Sequence, residues 1–219
     1  MRKKLCYFSI LSLSISFLIN DTLLAAPAEW ELAKSSDGIT IYTREVAYST
    51  SKEFNGVVRI TTSLNSLLNL MNDTGAYSQW LHSCILAKVL RQNSKISRTS
   101  YSVIKAPWPV SNRDIVTTSK IEHDKKTGVV TIHLWAEPDL YPEQAGNVRV
   151  RKMKGYWKFI PNEKNNVTVI YSVHSEPGGS LPDAVANASI IDIPFNTLRN
   201  MRKIVQNQKY QSAVQNEGQ

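Results

Sequence analysis

Cysteine is nearly absent from this chain. Its 219 residues include two, Cys6 and Cys84, and Cys6 falls in a stretch expected to be removed. A lone Cys84, followed by Ile85 and Leu86, excludes an intramolecular disulfide. It reads either as a small buried hydrophobe or as a reactive thiol. Histidine is almost as sparse. His82, His123, His133 and His174 form no His-x-His or His-Glu-x-x-His spacing, and the carboxylates do not cluster, so neither a metal nor another cofactor is expected. Internal repeats, low-complexity blocks and linker-like stretches are also missing, which leaves a single domain. One long apolar run exists, residues 5–19. It is too short to span a bilayer comfortably and ends at Asn20 and Asp21.

That run follows Arg2-Lys3-Lys4 and precedes Ala26-Pro27-Ala28, the layout of a secretory signal. Cleavage before Glu29 is expected, with a cut after Ala25 or an uncleaved anchor helix as alternatives. The chain then divides into a signal peptide (1–28), a folded domain (29–210) and a polar tail (211–219), and the expected location is periplasmic or secreted. The formal net charge is +8. A mild basic excess suits contact with anionic lipid headgroups. Apart from Arg149, Arg151, Lys152 and Lys154 the basic residues are scattered, so nucleic acid is not an expected partner.

Local patterns predict a helix over 29–35, a turn at Asp37-Gly38, and strands over 38–46 and 51–60. Ser63 is placed to cap a helix carrying Leu64, Leu67, Leu68 and Met71, and a second short helix carries Tyr77, Trp80 and Leu81. Six strands follow, near 85–91, 97–105, 113–122, 128–136, 148–160 and 166–175, with turn-like connections between them. A helix over 182–208 ends the pattern, its apolar stripe running through Ala184, Ala188, Ile191, Phe195, Leu198 and Val205, with a kink expected at Pro194. This order predicts an α+β fold, a curved antiparallel sheet wrapped around a long C-terminal helix. Short side chains cannot fill the space between such a sheet and its helix, so a cavity suited to an apolar ligand is expected there.

Several segments resemble the START family, the StAR-related lipid-transfer domains. They are Trp30-Glu31-Leu32 with Asp37-Gly38-Ile39 and Tyr42, and above all Pro107-Trp108-Pro109-Val110-Ser111-Asn112-Arg113-Asp114. Further along come Gly146-Asn147-Val148-Arg149-Val150 leading to Gly155-Tyr156-Trp157, and Ser175-Glu176-Pro177-Gly178-Gly179-Ser180-Leu181-Pro182 with Asn187. The resemblance implies a helix-grip fold and a tunnel roofed by the last helix and the loop before Arg113. The tunnel would hold one lipid at a time (a phospholipid, a fatty acid or a sterol-like molecule) without catalysis. Many members that carry a cavity arginine place it six residues after the Arg of the Arg-Asp pair, opposite an acidic residue. Here that position is Ser119, and Thr99, Ser100 and Tyr101 on the preceding strand are not acidic. The clamp is missing, and with it any implied preference for sterol.

The residues expected at the ligand are Trp108 and Val110 in the loop, Met153, Trp157 and Tyr171 on strands, and Ile191, Phe195 and Leu198 on the helix. For Trp108 two readings stand: a tunnel mouth that touches membrane during loading, or packing onto the C-terminal helix. Arg113 and Asp114 are adjacent and face opposite sides of a strand. Each is expected to fix neighbouring loops through a partner, because an unpaired buried charge is too costly. Pro177, Gly178 and Gly179 are expected to be structural, the glycines at positive φ. The leading function is a monomeric, non-catalytic lipid carrier or sensor with transient membrane contact. The alternatives are a helix-grip enzyme of cyclase or hydrolase type, using His174, Tyr171, Asp114 or Glu176, and a peptide-binding module.

Overall fold

The computed structural model describes residues 28–211. The expected signal peptide and most of the polar tail lie outside the described residues. Ten strands form one sheet. In chain order they are β1 (Glu31–Ser36), β2 (Ile39–Arg44), β3 (Glu53–Thr61), β4 (Cys84–Ser94), β5 (Ser97–Ile104), β6 (Asn112–His123), β7 (Val130–Ala136), β8 (Asn147–Arg149), β9 (Lys152–Asn162) and β10 (Asn166–Glu176). The helices are α1 (Leu64–Asn72) and α2 (Tyr77–Trp80) between β3 and β4, then α3 (Asp183–Ile204) and α4 (Gln208–Gln211) at the end.

Neighbouring strands run antiparallel in the order β1-β2-β3-β10-β9-β7-β6-β5-β4. The exception is β8, which pairs in parallel with the start of β6. Turn chemistry sets the hairpins. Asp37 and Gly38 both hold positive φ (53° and 67°) in the two-residue connection between β1 and β2, as such tight turns require, and Lys164 and Asn165 hold positive φ in the longer connection between β9 and β10. Ser63 caps α1, its Oγ accepting from Ser66 N at 3.0 Å.

Alternation along β10 puts Val167 and Val169 into the core, with Tyr171 and Val173 further along the same face. Opposite them, the C-terminal half of α3 buries Phe195, Leu198 and Met201 against Ile41 of β2 and Val58 of β3. Each such side chain contributes roughly 1.5–3 kcal/mol by leaving water. A glycine makes the close crossing possible. A Cβ built on Gly56 in β3 would stand 2.8 Å from Leu198 Cδ1 and 3.7 Å from Pro194 Cβ, so a larger residue would lift α3 off the sheet.

Three sequence expectations need correction. Residues 29–35 are not helical: Glu31–Ser36 is strand β1, paired with β2 through a bulge between Leu32 and Lys34. The single strand expected over 148–160 is two, β8 and β9, broken at Val150 and Arg151. The last helix stops at Ile204 and not at 208. A separate turn of helix, α4, follows and sets Tyr210 against α1, with the Tyr210 hydroxyl donating to Asp73 Oδ2 at 2.8 Å. Pro194 lies inside α3.

Candidate lipid-binding site

Between the sheet and α3 lies a cavity of about 760 Å³, in the upper part of the range of roughly 300–1,000 Å³ usual for small-ligand sites. Alternate residues of β5 and β6 form one wall: Arg98, Ser100 and Ser102 on the first, Ile115, Thr117 and Ser119 on the second. Aromatic rings form the opposite wall. Trp157 stacks on Tyr171 with centroids 3.7 Å apart, Tyr171 meets Phe54 edge-on at 5.0 Å, and Trp80 meets Trp157 at 5.9 Å. Burial pushes the Tyr171 hydroxyl well above the ordinary phenol range, so it stays a donor. The N-terminal half of α3 closes the space with small side chains, Ala184, Ala188 and Ser189 among them.

The wall runs the length of the strands. At one end it takes in Lys95 and Ile96 at the tip of the β4–β5 hairpin. At the other it takes in Lys105 to Pro107, residues 50–52 of the β2–β3 loop, and Leu181 just before α3.

Of the residues the sequence picked out, Met153, Trp157 and Tyr171 are on this wall. The three helical ones are not. Phe195 and Leu198 are 4% and 0% exposed in the core below the cavity, and Ile191 is half-buried beside Ile190 and Ile193, which do face it. The C-terminal part of the α3 stripe thus packs on β2 and β3, whereas the cavity meets the N-terminal half of the helix, through Ala184, Ala188 and Ser189 together with Ile190 and Ile193. Trp108 and Val110 are also off the wall. Trp108 is 93% exposed beside the wall residue Pro107, so it does not pack onto α3.

Arg113 and Asp114 each have partners. The Arg113 guanidinium donates to Ser111 O at 2.6 Å, Gly178 O at 3.0 Å and, more distantly, Pro177 O and Ser180 O. It ties the loop before β6 to the Pro177-Gly178-Gly179 turn, whose two glycines hold φ of 65° and 62°. Asp114 faces away from the cavity and makes a two-pronged ion pair with Arg149, Oδ1 to Nε at 3.0 Å and Oδ2 to Nη2 at 2.9 Å. Tyr101 also donates to Oδ2, at 3.1 Å, and burial together with this carboxylate pushes the Tyr101 hydroxyl up to about 12. Arg149 further holds the carbonyls of Pro138, Tyr141 and Pro142. It is therefore no part of a basic surface patch.

Of the groups weighed for catalysis, only Tyr171 is on the wall. His174 bonds Ser49 Oγ at 3.1 Å, and Glu176 pairs with Lys152 at 3.1 Å. Cys84 is buried and its thiol is pushed up by burial, so it is a poor nucleophile. The sequence reading missed Arg98 and Tyr77 as wall residues. Strand alternation carried the signal for Arg98, because it shares a face with Ser100 and Ser102.

Comparison with known proteins decides the family. Residues 19–211 match the START domain. The chain belongs to the START domain family. Members of this family bind lipids, and the large antiparallel sheet with its C-terminal helix is the START architecture. The chain is 38% identical to an uncharacterized protein of Pseudomonas aeruginosa, over 81% of this chain and 87% of that protein. It is 35% identical to the STAR-related lipid transfer protein of Xanthomonas axonopodis, whose crystal structure covers 80% of this chain and 98% of its own, with a TM-score of 0.75. Mouse phosphatidylcholine transfer protein is 26% identical over 82% of this chain and 85% of that protein.

Proposed function

We propose that this START protein is a non-catalytic carrier that shields one phospholipid-class molecule in its cavity and exchanges it at a membrane surface. The observation that carries the reading is the 760 Å³ space under α3, walled by stacked aromatic rings, aliphatic side chains and a few hydroxyls. Each buried methylene contributes about 0.8 kcal/mol, so a long acyl chain can offset the cost of association without a polar clamp. Similarity to a phosphatidylcholine transfer protein supports the lipid class. His174, Asp114 and Glu176 lie off the wall, and the carboxylates on it, Glu45 and Asp192, are tied up in ion pairs with Lys52 and Lys34; this favours a carrier over a catalyst, which needs convergent titratable groups.

Native mass spectrometry of protein purified from its own host tests the reading. One lipid per chain is the expected mass increment; a protein free of lipid that also takes none up from vesicles would refute it.

The proposal includes export, on the strength of the signal-like residues 1–28, and membrane contact through Trp108. An exposed indole between two prolines on a loop beside the cavity rim suits the bilayer interface. Trp108→Ala is expected to slow extraction of lipid from vesicles severalfold and to leave the melting temperature unchanged, since so exposed a side chain contributes little to folding. Extraction at the wild-type rate would remove Trp108 from the docking surface.

A further inference from the structure

Arg98 lies on the cavity wall without a carboxylate partner. Its Nη1 donates to Asn72 O at 3.2 Å, and its Nη2 donates to Met71 O and to the Tyr77 hydroxyl, the latter at 2.9 Å. These acceptors are two carbonyls at the end of α1 and a phenol, all neutral. The carboxylates on the same wall are engaged elsewhere: Glu45 pairs with Lys52 at 2.8 Å and Asp192 with Lys34 at 3.4 Å. Among the described residues no acidic group lies within ion-pairing distance of Arg98.

A second donor belongs to the same corner. Trp80 is 1% exposed, and its Nε1 has no hydrogen-bond partner among the described residues. Its ring meets that of Tyr77 at 5.2 Å, and Tyr77 in turn holds Arg98. Ser119, which pairs with Arg98 across the β5–β6 ladder, adds a hydroxyl on the wall. At the edge of an apolar cavity a positive charge without a counter-charge and an N–H without an acceptor are both unfavourable.

We infer that this corner is an oxyanion subsite: the amphiphile carried here has a phosphate or carboxylate head that pairs with Arg98 and accepts from Trp80 Nε1. The inference rests on the carrier reading and goes beyond it by naming the head. From Arg98 to Ile104, β5 covers about 20 Å at ~3.3 Å per residue, which leaves room for an acyl chain to run from this corner toward the Lys105–Pro107 rim. Arg98 is half-buried, so the attraction is screened less than between two fully exposed charges.

The experiment measures binding of pyrene-labelled phosphatidic acid, phosphatidylcholine and diacylglycerol with matched acyl chains, and of oleate against oleyl alcohol, to the full chain. Wild type should prefer the head-bearing members about tenfold or more, the scale of a charge-assisted hydrogen bond. Arg98→Gln should bring those lipids to the level of diacylglycerol and oleyl alcohol and leave the neutral pair unchanged. Arg98→Lys keeps the charge and should keep most of the preference. Preference within the phospholipid set identifies a phosphate head, and within the oleate pair a carboxylate head. Excess inorganic phosphate should leave bound lipid in place.

Equal binding of charged and neutral members, a preference that survives Arg98→Gln, or displacement by inorganic phosphate alone would each overturn the subsite and spare the carrier reading. Failure to bind any of the probes would overturn both. If Arg98→Gln does not fold because α1 loses its contacts, Trp80→Phe replaces it. That variant should weaken only the head-bearing lipids, and unchanged affinities would count against the subsite.

Discussion

Asp114→Asn should cost the protein roughly 3–5 kcal/mol, the usual penalty for stripping one partner from a buried ion pair. The two side chains are 1% and 2% exposed, so water cannot replace the lost charge on Arg149. The guanidinium also holds the carbonyls of residues 138–142, and those contacts would have to rearrange around an uncompensated cation. Domains of this size are stable by about 5–15 kcal/mol in total. The melting temperature should therefore fall by roughly 10 °C, given ~2–4 °C per kcal/mol. Thermal denaturation checks this, and a double-mutant cycle with Arg149→Met should return a large coupling energy. A variant that melts within a degree or two of wild type would show that the pair is dispensable.

Thr117→Trp should weaken lipid binding by about two orders of magnitude and leave the fold intact. Thr117 projects into the middle of the β6 wall, flanked by Ile115 and Ser119, and its neighbour across the ladder is Ser100. An indole is well tolerated on a strand, and here it would extend into space instead of into packed side chains. Excluding four methylenes of ligand forfeits about 3 kcal/mol at ~0.8 each, which is about a 200-fold loss of affinity. Titration with a fluorescent phospholipid, alongside circular dichroism, reads both halves of the expectation. Wild-type affinity in the folded variant would mean that lipid does not occupy this cavity.

The sheet was legible because hydrophobic alternation and turn chemistry act locally. Asp37-Gly38, the Ser63 cap and the valines of β10 each announce themselves within a few residues. Glu31–Ser36 misled for the same reason. Glu, Leu, Ala and Lys favour helix in isolation, but the edge of a large sheet offers pairing to β2 that outweighs so small a preference. The site was less legible than the fold. Trp157 and Tyr171 stood out as large residues on strands. Arg98 did not, because its importance lies in what is missing around it. The lack of a nearby carboxylate follows from how α1 and β5 meet, and no spacing in the sequence records that. The α3 stripe named Phe195 and Leu198 because periodicity finds what is packed, whereas a binding space is bordered by what is too small to fill it.

The two faces of β6 have different obligations. Asp114, Val116 and Thr118 are locked among buried neighbours, whereas Ile115, Thr117 and Ser119 border the cavity. Changes at Ile115, Thr117 and Ser119 can reshape what the protein accepts without endangering its folding. One strand thus separates the two tasks by side, one answering to the cargo and the other to the scaffold.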